Sequence, residues 1–231
     1  MMIMKHVFAV GIFLAISFAF LAVGFAGGEG AGISGDEALK KLIEGNARFI
    51  EGKETQKDLG STRRTELAKG QHPFAVIVSC ADSRVPPEYI FDQGLGDIFV
   101  VRVAGNIAGP IELGSVEYAV EHLGVPLIFV LGHQSCGAVK AAVAGGKPEG
   151  CIGSIVEKIA PAVATAKGKA KDKDKVLDEA ILENTKNTVK TLTQQSAIIK
   201  HLVDSKKVKI AAGVYNLATG TVELVDTAAD K

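Results

Sequence analysis

Three short apolar runs place the tightest limit on how this chain can fold. Phe74-Ala-Val-Ile-Val-Ser79, Asp97-Ile-Phe-Val-Val-Arg-Val103 and Pro126-Leu-Ile-Phe-Val-Leu131 show no regular polar alternation. A strand wetted on one face alternates apolar and polar residues, whereas a strand covered on both faces is apolar throughout. The three runs are therefore expected to be strands buried on both faces, which requires helices on either side of their sheet. Ile111 to Leu123, between the second and third runs, reads as a crossover helix, and strand-helix-strand order implies parallel pairing.

The rest of the chain extends this architecture. From Asp36 the positions Ala38, Leu39, Leu42, Ile43, Ala47, Phe49 and Ile50 follow approximate helical periodicity and predict an N-terminal helical arm. Gly52 to Lys69 is polar and predicts a loop followed by a short helix. Further helices are expected over Gly137 to Ala144 and Ile152 to Ala166. After a lysine-rich linker, Lys167 to Lys175, a long one is expected over about Val176 to Val203. Val208 to Tyr215 and Thr221 to Val225, joined through an Ala218-Thr-Gly220 turn, read as a closing hairpin. The expected fold class is α/β: a mostly parallel sheet of about five strands flanked by helices. Four strands are parallel and one is an antiparallel edge strand, in a single domain over residues 36–231.

Before this domain, Lys5 and His6 precede an apolar run from Val7 to Phe25, and Gly24-Phe25-Ala26 supplies small residues for a cut after Ala26. Residues 1–26 thus read as a signal peptide, and the expected location is periplasmic or secreted. An uncleaved anchor is the alternative, because about 20 apolar residues span a bilayer; membrane attachment is expected only in that case. Residues 27–35 form a glycine-rich, flexible leader. Lys+Arg and Asp+Glu balance at 26 each, so the charge gives no reason to expect a nucleic-acid partner. The 3 cysteines are Cys80, Cys136 and Cys151, too few and too odd in number for a secreted disulfide framework. Cys151 has no assigned purpose.

Two of these cysteines fall where an open α/β sheet collects its functional groups, beyond the carboxyl ends of the strands. Cys80 follows the first apolar run; His133 and Cys136 follow the third. They can meet if those two strands are neighbours. Two Cys and one His suit zinc, and three protein ligands leave a fourth position open for water, unlike a closed structural site. Cys80, His133 and Cys136 are the candidate metal ligands, for one Zn2+ per chain. Asp82 and Arg84 stand two residues apart in Cys80-Ala-Asp-Ser-Arg84 and are the candidate catalytic pair. A guanidinium grips a carboxylate with two parallel hydrogen bonds, which fixes its direction and keeps it ionised. Asp82 so held can accept a hydrogen bond from a zinc-activated water and aim it at a substrate carbon. Released from Arg84, Asp82 can instead take the open position and switch the site off.

Cys80-Ala-Asp-Ser-Arg-Val85, Val100-Val-Arg-Val-Ala-Gly-Asn106, Glu117-Tyr-Ala-Val120 and Gly132-His-Gln-Ser-Cys-Gly137 resemble the β-carbonic anhydrases in order and spacing. The resemblance runs from about Asp36 to Val225. It implies zinc-dependent, reversible hydration of carbon dioxide to bicarbonate and a proton. Further roles follow from it: Gln71 binding a substrate oxygen, Phe99 and Ala104 in the apolar wall of the carbon dioxide pocket, and Tyr118 as an active-site tyrosine. His122 is then a proton shuttle, and the Gly137 N–H faces the bound oxygen or a ligating sulfur. The resemblance also implies a homodimer or a dimer of dimers, with the N-terminal helix packed on its partner. A Trp-containing regulatory bicarbonate site, found in one subclass, is put in doubt by the absence of Trp. Two thiolates should leave the zinc-activated water a weaker acid than the pKa of about 7 in the three-histidine carbonic anhydrases. The competing readings are a same-fold hydrolase of carbonyl sulfide or carbon disulfide, and a zinc-storing or redox-sensing protein in which Cys80 and Cys136 pair when zinc is lost.

Overall fold

The computed structural model describes residues 30–146, 148–170 and 172–227. The segment read as a signal peptide, and residues 27–29 of the leader, lie outside the described residues. Among those described, no helix is long and apolar enough to cross a membrane.

Strands β1 (Ala75–Ser79), β2 (Ile98–Arg102), β3 (Leu127–His133), β4 (Lys209–Tyr215) and β5 (Val222–Leu224) form one sheet in the order β2-β1-β3-β4-β5. The first four are parallel, and β5 runs antiparallel at the edge. This is the expected fold class. Every residue of β1 and β3 is buried. β2 departs from expectation: it lies at the sheet's other edge and only Val101 within it is buried. An apolar run states that a strand will be covered, not by what, and among the described residues no strand pairs with the outer edge of β2.

Successive strand residues divide between two cores, because side chains alternate across the sheet. Ala75, Ile77, Leu127, Phe129, Leu131 and Ala211 face one core. It is filled by α1 (Gly35–Ile50), α3 (Pro87–Ile90), α5 (Gly137–Ala144), α6 (Ile152–Lys169) and the start of α7 (Val176–Gln195). Val76, Val78, Ile128, Val130, Ile210 and Ala212 face the other. That core is closed by α4 (Pro110–Glu117), the second half of α7 and α8 (Ala197–Asp204). The short α2 (Ser61–Leu67) buries no residue.

Four helix boundaries differ from the sequence reading: α6 runs on to Lys169, three residues into the expected linker, and three others differ for a local reason. α1 begins at Gly35, because Ser34 accepts from the Glu37 N–H while the Glu37 carboxylate accepts from the Ser34 N–H. That capping box lay unrecognised in the glycine-rich leader. The expected single helix over Val176 to Val203 is two: Ser196 turns extended, and its hydroxyl caps α8 at the Ile199 N–H while donating to Glu117. The crossover helix ends at Glu117 and continues as one wide π turn, Tyr118–His122, a local loosening that recurs at functional sites.

One buried charge locks the N-terminal arm to the body. Asp92, just after α3, has its side chain 1% exposed and accepts from Arg48 of α1 at 2.6 Å, from Lys57 and from the Thr55 N–H. Burial alone would push this carboxyl up, but the hydrogen bonds from Lys57, Arg48 and Thr55 hold it down at about 2. The folded pKa is thus below the unfolded value of about 4. The stabilisation is complete above about pH 4 and is lost as pH falls towards 2. Asp92→Asn is expected to lower stability by about 1–3 kcal/mol at pH 7. It should also flatten the acid limb of the curve, as read by denaturant titration at several pH values; equal acid sensitivity in both proteins would contradict this account.

Candidate metal centre

The site follows from strand order. The chain leaves β1 for the outer strand β2, then crosses back over β1 to enter β3. β1 and β3, remote in sequence, are therefore neighbours whose carboxyl ends border the crevice where the winding changes direction. Ser79 pairs with Leu131, so Cys80 leaves the sheet beside Gly132 and His133. Thr185 of α7 stands 2.2 Å from where a Cβ on Gly132 would lie, so only glycine lets that helix ride against the backbone leading to His133.

Cys80, His133 and Cys136 are all buried, and their ligand atoms lie within 4.8 Å of one another. The chemistry of the histidine decides the fit to a metal. Its Nδ1 lies 2.9 Å from the Gln134 carbonyl, which requires the proton on that nitrogen. Nε2 is left with its lone pair, buried and without a hydrogen-bond partner among the described residues. An imidazole oriented by its own backbone and presenting a bare nitrogen to two sulfurs is how proteins prepare a histidine ligand. The two other buried side-chain atoms lacking partners, Ser79 Oγ and Asn106 Nδ2, belong to segments that flank Cys80 and Gly105.

A backbone N–H addresses one sulfur directly: Gly105 donates to Cys80 Sγ at 3.2 Å. Cys136 is the N-cap residue of α5, at the positive end of that helix. The Cys136 thiol is set to donate a hydrogen bond to the Cys80 sulfur. The hydrogen bond from Cys136 draws Cys80 far below an ordinary thiol despite its burial, and the same bond, with burial, pushes Cys136 up. Both must be thiolates to hold a metal, so uptake releases protons.

Asp82 and Arg84 form the expected pair. Arg84 Nε meets Asp82 Oδ1 at 2.9 Å, Nη2 meets Oδ2 at 2.7 Å, and the Arg84 backbone N–H adds a third bond to Oδ1 at 2.9 Å. The guanidinium holds this carboxyl well below the usual carboxylate range. Asp82 Oδ2 is 3.9 Å from His133 Nε2, beside the ligand group. The engaged pair is the arrangement present, and not the one in which Asp82 turns to the metal. Arg102, at the end of β2, was not singled out in the sequence. It donates to the carbonyls of Cys80 at 2.9 Å and Asp82 at 2.6 Å, holding this loop to the sheet edge. Its place in Val100-Val-Arg-Val103, opposite Ser79, is the signal that was available.

The remaining expected residues divide into two groups. Ala104 opens the 3₁₀ turn Ala104–Asn106 that carries Gly105, and so stands beside Cys80. Gly137 begins α5 directly after Cys136, and the backbone N–H hydrogen-bonded to a ligand sulfur is that of Gly105. Phe99, Tyr118 and His122 form a separate row, with ring centroids 6.2 Å apart for the first pair and 5.4 Å for the second. Phe99 pairs with Val76, four residues before Cys80, which places it roughly 13 Å down the sheet at about 3.3 Å per residue. Gln71 is exposed after α2, in a surface depression with Leu67, Lys69 and Gly96. Phe99 and Gln71 thus lie towards the amino ends of the strands, away from the carboxyl ends that carry the ligand group, and Tyr118 and His122 stack on from Phe99.

The carbonic anhydrase family model matches residues 75–222, a span holding all three ligands and the Asp82–Arg84 pair. The chain is an enzyme of the β-carbonic anhydrase family. A carbonic anhydrase of Mycolicibacterium smegmatis is 42% identical over 191 residues, covering 81% of this chain and 91% of that protein. Carbonic anhydrase 2 of Mycobacterium tuberculosis is 44% identical over 193 residues, covering 82% and 92%. Among solved structures, a β-carbonic anhydrase from Coccomyxa in complex with acetazolamide superposes with a TM-score of 0.64 at 27% identity, covering 80% of this chain and 85% of that one.

The β-carbonic anhydrase site of this chain is consistent with zinc by donor set and by the bare His133 nitrogen. Purified protein is expected to carry one zinc per chain by elemental analysis. Its zinc affinity should fall at least about tenfold as pH drops from 7.5 to 6, because protons compete for the sulfurs. Cys136→Ala should lose the metal to a mild chelator. Zinc retained equally by that variant would exclude this ligand set.

Proposed function

We propose that the chain catalyses the reversible hydration of carbon dioxide to bicarbonate and a proton, with zinc held by Cys80, His133 Nε2 and Cys136. The observation carrying this reading is the Asp82 carboxylate, clamped in two-point register by Arg84 and turned to the edge of the ligand group. A store for zinc has no use for an oriented anion there. Bound zinc supplies the electrophilic activation that makes water a nucleophile near neutral pH.

The chain's own residues then do the following. Asp82, kept ionised, accepts a hydrogen bond from the attacking water and fixes its remaining lone pair towards the substrate carbon. Arg84 prevents the carboxylate from swinging to the metal. Arg102 holds the backbone from which both project. The buried sulfurs and imidazole bound the inner side of the site, and the half-buried Ala104 offers an apolar surface beside it. Protons leave through solvent buffer, or through His122 where a second copy brings it to the site.

The reading includes a homodimer or a dimer of dimers. Supporting it are the uncovered, apolar outer edge of β2 and the adjacent Phe99–Tyr118–His122 row, with Tyr118 exposed. A second copy set against that edge would supply the residues that one chain keeps away from its own metal. It also includes export, on the strength of the basic start and apolar run of residues 5–26.

Stopped-flow hydration assays on zinc-loaded protein are expected to show turnover that Asp82→Asn lowers by about 100-fold or more, with zinc content unchanged. Sedimentation of the same preparation should give at least twice the mass of one purified chain, as read by mass spectrometry. Zinc-loaded protein that hydrates no carbon dioxide at alkaline pH, or that hydrolyses carbonyl sulfide instead, would overturn the assignment.

A further inference from the structure

Helix α7 reaches the metal group through a backbone turn that carries no ligand of its own. The 3₁₀ turn after β2 takes Gly105 into the left-handed region, at φ 77°, and Asn106 follows at φ 45°. A Cβ on Gly105 would lie 2.8 Å from the Ile159 side chain, so packing and backbone both demand glycine there. The turn's purpose is visible in one contact, the Gly105 N–H directed at Cys80 Sγ.

Two side chains of α7, one helical turn apart, grip the carbonyls of this turn. Asn184 Nδ2 donates to the Gly105 carbonyl at 2.7 Å. Thr188 Oγ1 lies 2.9 Å from the Asn106 carbonyl and 3.1 Å from that of Asn184, so its proton is shared between them. Both side chains are buried, and water cannot take their place. Between them on the same helix, Thr185 sits against Gly132, directly before the ligand His133. One helix therefore braces the backbone on both sides of the metal group.

We propose that Asn184 and Thr188 are positioning residues of the metal centre, clamping the Gly105–Asn106 turn so that the Gly105 N–H stays aimed at the Cys80 sulfur. This rests on the zinc reading given above. A hydrogen bond to a ligating sulfur withdraws charge from it and fixes which lone pair faces the ion, and such supporting contacts change metal affinity by about 10- to 100-fold. The sequence offers a reason for both residue types: an amide and a hydroxyl can donate to a carbonyl, whereas Asp or Val at the same positions cannot.

Cobalt(II) provides a readout independent of turnover, since its sulfur-to-metal charge-transfer band reports charge on the thiolates. In the full chain, Asn184→Asp and Thr188→Val are each expected to move that band to lower energy and to speed zinc release to a chelator by about tenfold. Thr188→Ser, which keeps the donor, should retain the wild-type band and release rate. Asn46→Ala serves as the structural control. It removes a buried amide that holds Ile90, Gly220 and Val222, and none of these is on a ligand-bearing loop. It should lower stability without moving the band. The proposal is overturned if Thr188→Val and Asn184→Asp, confirmed folded by circular dichroism, keep the wild-type band and release rate, or if Asn46→Ala shifts the band equally. Should Asn184→Asp not fold, the Thr188→Val and Thr188→Ser pair decides alone. Wild-type protein that binds neither metal would instead overturn the zinc reading, and this inference with it.

Discussion

The parallel pairing of β1 with β3 is the contact on which the site depends. Parallel neighbours end on the same side of a sheet, so the residues that follow them share one crevice. Here that places Cys80 beside the Gly132–His133 end of β3, and the turn to α5 brings Cys136 back to the same point. A one-strand change in order would separate the sulfurs however well the flanking motifs were kept. The apolar faces that bury β1 and β3 thus serve chemistry as well as stability, because they decide which loops are neighbours.

Putting two sulfurs, an imidazole and a carboxylate together is electrostatically costly unless each charge is answered. The structure answers them one by one. Asp82 is neutralised by Arg84 through two parallel hydrogen bonds, Cys136 lies at the positive end of α5, and Cys80 receives the Gly105 N–H. Only the His133 Nε2 lone pair is left unanswered among these groups, and it points to the role of a cation. On the proposed zinc reading, two thiolates and a neutral imidazole would leave the ion close to neutral, and the oriented anion beside it would do part of what net positive charge does in a three-histidine site.

Much of this was legible in the chain because its signals are local. Continuous apolar runs, a loop holding Cys, Asp and Arg at fixed spacing, and His-x-x-Cys after a strand each depend on a few adjacent residues. The readings that changed involved partners far away in sequence. β2 was expected to be buried on both faces and lies at the sheet edge instead, because an apolar run says nothing of sheet order. The break at Ser196 depends on Glu117; the cap of α1 is the exception, since Ser34 and Glu37 form a local Ser-x-x-Glu signal inside the leader. Asp92, with Arg48, Thr55 and Lys57, has no motif at all, since its partners come from separate segments.

The sequence by itself determined the chemistry on offer: which side chains can bind a soft divalent cation, which carboxylate has an arginine within reach, and that these follow buried strands. Those are properties of residue type and short spacing. Tertiary structure alone decided which nitrogen of His133 is bare, which backbone N–H reaches the Cys80 sulfur, and that Phe99, Tyr118 and His122 stack in one row beginning far down the sheet from the ligand group. The reason is physical. Hydrogen-bond direction and strand order are set by how the whole sheet and its helices pack, and packing is a property of surfaces that no short stretch of sequence contains.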